Sequence, residues 1–348
     1  MEKKVDYIEL IKFTGSLLSQ IGLDDFSNDS VTTGLCETSL RGIDSHGIRL
    51  LPHYVNSALS GRKNPKPIFK ITEKYPTSLF MDADNAFGHA AGMKAIEIGM
   101  EKADQFGICS IGVGNSSHPG AMASYALRAA REGYIAFAFT HADSLLLSTN
   151  SKIPFFGTNP ICMAAPRKDM EPYCLDMATS TVSWNKILLH RSNKEKLPEG
   201  IAADESGLPT TDPHKARSIL PTGGYKGYGL SSMVEVLCGV FTGMNFGHAI
   251  PSMYKAPMNK GRGLGQFYMV MKADSCVGQM IFEDQLAQMT EEVSREPRSG
   301  NDKVILPGDR EIKISKERME NGIPLDIATA QKLSELSKTY KSSLLLRG

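Results

Sequence analysis

Seven residues able to exchange protons, hold anions or accept hydrogen bonds crowd into one fourteen-residue run, "RGIDSHGIRLLPHY" at 41–54. They are Arg41, Asp44, Ser45, His46, Arg49, His53 and Tyr54. Imidazole carries protons near neutral pH, and it needs a partner that fixes its tautomer. A nearby guanidinium can grip a carboxylate through two parallel hydrogen bonds. The plainer reading is a polar helix start, with Asp44 or Ser45 as N-cap and His46 exposed.

Three further stretches have chemistry in reach. "VGNSSHPGAMASY", 113–125, sets His118 in a polar turn between a strand and a helix over 120–131, whose first amides can face an anion. It reads equally as a turn histidine followed by proline. "GTNP" and "LDMATS", 157–160 and 175–180, bracket a strand carrying Asp176 between Leu175 and Met177. A buried acid is costly unless paired, so a histidine from elsewhere is its expected partner. Thr179 and Ser180 suit a phosphate contact, or are ordinary strand-end residues. "PTGGYKGYGL", 221–230, puts two glycines and Lys226 at a helix start, which suits a phosphate or ribose or is simply a glycine-rich turn. It lacks the order of a Walker A loop.

The elements that must position these groups follow from periodicity. Tyr7, Leu10, Ile11, Leu17, Leu18 and Ile21 share one helical face, widened by Phe13, interrupted by Thr14 and ended by Gly22. A second helix begins near 27–29, and a third covers "GIRLLPHYVNSALSG". "IFKITEKY" and "SLFMDAD" read as strands joined by a turn. Helices and buried strands then alternate through "AAGMKAIEIGMEKADQFG", "ICSIGVG", "GAMASYALRAAREG" and "YIAFAFTHA". "PICMAAP" and "YCLDMAT" are short strands, and 191–217 reads as an exposed loop or hairpin. "KGYGLSSMVEVLCGVFTG" and "FEDQLAQMTEEVSRE" read as helices, "GQFYMVMKAD" as a strand, and 315–345 as helical again. The fold class is α/β with helical ends and an irregular strand–helix rhythm, unlike a doubly wound sheet.

The glycine patterns point the same way. A dinucleotide fingerprint needs G-x-G-x-x-G after the first strand. "GVGNSS" has serine at the third glycine position, and "GRGLG" at 261–265 also misses the spacing.

Composition narrows the partners. Among 348 residues, 39 Lys and Arg face 38 Asp and Glu, a net charge of +1, so nothing recommends nucleic acid or an anionic membrane. Apolar residues at 41% and charged residues at 22% are ordinary for a soluble globular protein. No apolar window reaches about 18 residues, and the first 25 do not read as a signal peptide. The six cysteines form no CxxC pair and read as buried free thiols, so no metal is expected and a reducing cytoplasm is.

Together "RGIDSHG", "NSSHPGA", "FGTNPICMAAP", "LDMATS" and "GGYKGYGL", with "LPGDRE" at 306–311, resemble the non-Rossmann malate/L-lactate dehydrogenase family. The resemblance implies NAD- or NADP-linked interconversion of a 2-hydroxy acid and a 2-oxo acid. It also implies a homodimer, a non-Rossmann fold with a mixed or antiparallel central sheet, and a helical domain built from both chain ends (1–62 plus 312–348) around an α/β region at 63–311. His46 then looks like the proton donor, with Ser45 beside it and Asp176 orienting it. His118 matches a histidine that some relatives use instead. Tyr54, Asp143 and Thr158 match substrate-pocket positions. Cys174, Leu175, Asp176, Met177, Ala178, Thr179, Ser180, Tyr225, Lys226, Gly308, Asp309 and Arg310 match cofactor-contacting segments. The family pattern has a carboxylate-binding arginine four residues after the motif histidine. Here that position is Leu50, and Arg49 lies one residue earlier, about 100° away on a helix. Arg49, Arg41, His53 or another cation must bind the acid, or the substrate differs. An imine reductase acting on a cyclic 2-imino acid and a non-catalytic dimeric binding protein on the same fold are the alternatives.

Overall fold

The computed structural model describes residues 3–347. The N-terminal segment forms β1 (Lys3–Val5), α1 (Tyr7–Gln20), α2 (Asp25–Leu40) and α3 (Leu51–Leu59). Asp6 caps α1 by accepting from the amides of Ile8 and Glu9, and Asp24 caps α2 through Ser27. Thr14 does not interrupt the buried face of α1. It is buried with it, and its hydroxyl takes the Cys36 thiol at 3.6 Å. The chain's other end gives α9 (Asp309–Asn321), β13 (Ile323–Leu325), α10 (Ile327–Tyr340) and β14 (Leu346–Arg347), with α8 (Gln279–Ser294) before them. The single helical stretch expected at 315–345 is thus broken, because Gly322 leaves the helix at φ +81° and Pro324 cannot continue it.

The two ends share one core. Leu10, Leu17, Val31, Leu35, Leu51 and Val55 pack with Ile323, Leu325 and Leu333. β1 pairs antiparallel with both β13 and β14. Arg318 of α9 donates to both carboxylate oxygens of Asp44, at 2.6 and 2.9 Å. Asp44 therefore ties the helical ends together and is spent on that bond.

Between the ends lies a seven-stranded sheet. Its strands are β2 (Lys70–Tyr75), β3 (Ser78–Asp82), β4 (Ile108–Ser116), β5 (Tyr134–Thr140), β8 (Ile161–Arg167), β9 (Met170–Met177) and β12 (Leu264–Lys272), in the order β2-β3-β4-β12-β5-β8-β9. Only β3 and β4 run parallel; every other pair is antiparallel. That topology is not the doubly wound parallel sheet of a Rossmann fold. α4 (Gly88–Phe106) and α5 (Ala123–Ala130) pack on the sheet over a core that includes Ile96, Ile111, Val113, Tyr125 and Tyr268.

A smaller sheet, β10-β11-β6-β7, joins β6 (Leu146–Leu147), β7 (Pro154–Phe156), β10 (Ala202–Ala203) and β11 (Ser218–Ile219). Within 191–217, Leu197, Ile201, Ala202 and Ala216 are buried against Ile187 of α6 (Trp184–Asn193). α7 (Tyr225–Glu235) passes into a π-helical turn, Val236–Val240, rather than running on as α-helix. Gly265, at the start of β12, explains the "GRGLG" run. A Cβ there would sit 1.7 Å from the Cys238 carbonyl oxygen, so the run serves close packing of strand on helix. Five cysteines are buried and free, whereas Cys276 is exposed. No helix among the described residues is long and apolar enough to cross a membrane.

Candidate active site

Ser45 and His46 sit in the loop between α2 and α3. That loop is drawn onto α2, where the Ser39 hydroxyl accepts from the Ile48 amide at 2.8 Å. A Cβ on Gly47 would lie 2.1 Å from that hydroxyl oxygen, so only glycine lets the histidine loop come this close. His118 follows β4, and Tyr54 lies on α3. The His46 and His118 rings stack, with centroids 5.6 Å apart and planes 21° apart.

Each ring is held through its Nδ1. His46 Nδ1 is 2.8 Å from Ser45 Oγ. His118 Nδ1 is 2.8 Å from Tyr54 Oη, and the Gly120 amide points at it from 3.4 Å. A backbone N–H can only donate, so His118 Nδ1 is an acceptor and its proton belongs on Nε2. Neither Nε2 has a protein partner among the described residues, and neither is sealed from solvent. Enclosure, with Arg49 adding to it, lowers His46 from its ordinary value to about 4. His118 is pushed well below, by burial first and then by the charges of His46, Arg262, Lys63 and His89.

Both rings open onto a cavity of about 1030 Å³. Of the residues singled out from the sequence, Ser45, His46, His118, Asp143, Thr158, Cys174, Leu175, Asp176, Ala178 and Gly308 line it. Tyr54 is buried behind His118. Small-molecule pockets run to about 300–1,000 Å³, so the space stands at the upper end of that range and exceeds what a small acid alone needs. Trp184 and Leu188 of α6 add an apolar wall that periodicity did not single out.

Several expected placements differ. Asp176 is not buried in the sheet and does not pair with His46. It is exposed on the cavity side of β9, and its Oδ2 accepts from the Ala123 amide at 2.8 Å. The anion at the start of α5 is thus the chain's own carboxylate. Enclosure raises that carboxyl to about 6, against the opposing pull of the Ala123 and Met122 amides and Arg41. Thr179 and Ser180 are buried and donate their hydroxyls to the carbonyls of Thr158 and Val182, at 3.0 and 2.8 Å. They knit loops and do not face the cavity. Met177, Asp309 and Arg310 also lie outside the lining, where Asp309 pairs with Arg167 at 3.1 Å. Tyr225 and Lys226 are exposed at the start of α7. Their loop lies off the cavity lining and is tied to the loop that ends β9, where the Thr222 amide donates to the Thr179 carbonyl at 3.0 Å and Pro221 bridges Ser180.

Neither Leu50 nor Arg49 brings a cation to the cavity. Leu50 is 5% exposed and lines the cavity, so it presents methyl groups there, while Arg49 is exposed outside the lining. His53 stays off the lining and packs on Tyr254, ring to ring at 5.3 Å. Two buried guanidinium groups do line it: Arg41, near Asp176, and Arg262. Arg262 lies inside "GRGLG", where the glycine spacing is the only signal the sequence offers and nothing marks the arginine as facing a cavity.

The profile of malate/L-lactate dehydrogenases matches residues 5–334, most of the chain. This chain belongs to the malate/L-lactate dehydrogenase family. It is an oxidoreductase of the hydroxy acid dehydrogenase class. Ureidoglycolate dehydrogenase (NAD(+)) of Escherichia coli K12 is 34% identical over 305 residues, 87% of each chain. A malate dehydrogenase of Pyrococcus abyssi is 32% identical over 341 residues, covering 95% of this chain and 93% of the relative. The crystal structure of malate dehydrogenase from Entamoeba histolytica superposes with a TM-score of 0.93 at 26% identity, covering 99% of both chains.

Proposed function

We propose that the protein interconverts a 2-hydroxy acid and a 2-oxo acid with NAD as its dinucleotide, and that His46 exchanges the proton. The observation that carries the reading is the pair of stacked imidazoles with free Nε2 atoms at one cavity larger than a small acid alone needs. The choice of NAD over NADP is supported by the Escherichia coli relative, whose name specifies NAD(+). When bound, the dinucleotide supplies or accepts the hydride. Cys174, Leu175, Ala178 and Gly308, with Trp184 and Leu188, are the residues that would hold it.

The chain's own groups divide the remaining work. Ser45 Oγ can accept from His46 Nδ1–H in both protonation states, so His46 Nε2 is free to take a proton from a hydroxyl or return one to a carbonyl oxygen. His118 resists a second proton, because imidazolium would set Nδ1–H against the Gly120 N–H. It acts as a neutral Nε2–H donor to the substrate oxygen, held by Tyr54.

The test is oxidation of NADH and NADPH in parallel against pyruvate, oxaloacetate, sulfopyruvate and piperideine-2-carboxylate. Turnover of a 2-oxo acid with NADH is expected. Turnover confined to the cyclic imine would replace the reading by imine reduction, and cofactor binding without any turnover would replace it by a binding protein.

A homodimer is part of the same proposal. Leu230, Met233, Val236, Val240 and Phe241 are all exposed along α7 and its π-turn, an apolar face that a second copy would cover. Light scattering is expected to give twice the chain's mass; monomer mass at micromolar concentration would remove this part.

A further inference from the structure

We propose that Arg262 binds the substrate carboxylate and so sets the cavity's preference for 2-oxo acids over neutral carbonyl compounds. The inference rests on the oxidoreductase reading above and deepens it.

Arg262 is fixed before any ligand arrives. Its Nε donates to the Pro251 carbonyl at 2.8 Å, and its Nη2 donates to Asp143 Oδ1. The first bond closes the irregular segment 251–262 on itself; Asp143 adds a bond from the Met253 amide at 3.4 Å. Arg62 grips the same segment from the far side, donating to the carbonyls of Met253, Ala256 and Pro257. The guanidinium therefore loses little freedom on binding, the condition under which one ion contact counts most. Nη1 has no protein acceptor among the described residues and is not sealed from solvent, in a side chain only 3% exposed that lines the cavity.

Charge argues the same way. Arg62 and Lys63, 2% exposed each, lie within electrostatic reach of Arg262. Asp143 is the acid that faces this group. Lys63 Nζ has no hydrogen-bond partner among the described residues and rests over the Tyr54 ring, 3.5 Å from its centroid. Burial, with Arg262 and Arg62, pushes it well below the usual lysine value, so the excess of positive charge rests on the two guanidinium groups against Asp143. A buried cluster with more cationic groups than acids gains by taking in an anion. The Arg262 charge is felt at both His118 and Tyr54, so an acid held there keeps its carbonyl near the imidazoles. Arg41, the other buried guanidinium on the cavity lining, sits instead with Asp176. Leu50 offers no competing contact.

The experiment compares wild type, Arg262→Lys and Arg262→Met with NADH on the preferred 2-oxo acid of the panel and on its 1-amide. For Arg262→Met, KM for the acid should rise about 10²-fold, the size expected for losing a charge-assisted contact, while turnover of the amide stays within about threefold. Arg262→Lys should keep the acid preference with a KM raised about tenfold, since ammonium lacks the planar fork. NADH binding, read by fluorescence, should be unchanged in both. An unchanged KM for the acid in Arg262→Met, or equal loss on acid and amide, overturns the proposal while leaving the oxidoreductase reading intact. If Arg262→Met does not fold, Arg262→Lys decides alone: an unchanged KM for the acid overturns it. Absence of wild-type turnover on every 2-oxo acid sinks both.

Discussion

Replacing His46 by alanine is expected to lower kcat/KM by about 10²–10⁴, the range for loss of a general acid or base. The neighbouring imidazole separates that expectation from simple damage. His118→Gln keeps an N–H donor at nearly the same reach and should stay within about tenfold of wild type. His46→Gln has nothing that can exchange a proton and should be as poor as the alanine variant. The pH profile sharpens the contrast. In the direction of hydroxy acid oxidation, the base must be unprotonated, and kcat/KM reports the free enzyme. Burial, with Arg49, lowers His46 to about 4, so the profile should stay flat from pH 7 to about 5 and fall only below that. An unperturbed histidine would begin to fail near 6.5. Near-normal turnover by His46→Ala, or equal losses in His46→Ala and His118→Gln, would falsify the division of roles.

Much of this site was legible because its parts are local. Ser45 and His46 are adjacent, and their bond needs no distant element. The α1 face, the β2–β3 turn and the helices closed by glycine follow from periodicity and stop signals that act over a few residues. Failure of the dinucleotide fingerprint also carried information, since the sheet contains one parallel pair. What was not legible depends on contacts between remote segments. Asp176 is 53 residues from Ala123, the amide that holds it. Nothing in "LDMATS" shows that its acid faces a cavity while Thr179 and Ser180 turn their hydroxyls inward. Arg262 and Asp143 are 119 residues apart, and their pairing appears only once β12 lies beside β5. That position 50 holds leucine where the resemblance leads one to expect arginine could be noticed in the sequence; a cation to serve in its place could not be found there.

The second large effect is expected at Glu235, which touches no part of the cavity lining. This carboxylate is 3% exposed at the end of α7 and accepts from Asn159 Nδ2 at 2.7 Å and from the Gly247 amide at 2.8 Å. His141 faces it as well, Nδ1 to Oε1 at 3.6 Å, while His141 Nε2 accepts from the Gly265 amide at 2.8 Å. Glu235→Ala leaves the Gly247 amide without its acceptor and removes the charged one of the two acceptors of Asn159 Nδ2, whose other is the Ser231 carbonyl at 3.0 Å. Stability in urea unfolding should fall by about 3–5 kcal/mol, the sum of two charge-assisted bonds. Glu235→Gln retains one acceptor oxygen but sets an NH₂ group against the other donor, so about 1–3 kcal/mol is expected. A loss under ~1 kcal/mol for the alanine variant would mean that water satisfies these donors. The cost should also reach the site. Asn159 Oδ1 accepts from the Ala142 amide at 3.2 Å, one residue before Asp143, and Gly247 precedes His248 on the cavity wall. Loosening Asn159 frees the strand end that carries Arg262's partner. KM for the acid should therefore rise in Glu235→Gln at temperatures where the fold is intact, whereas an exposed-surface change of equal charge, such as Glu335→Gln, should leave it unmoved.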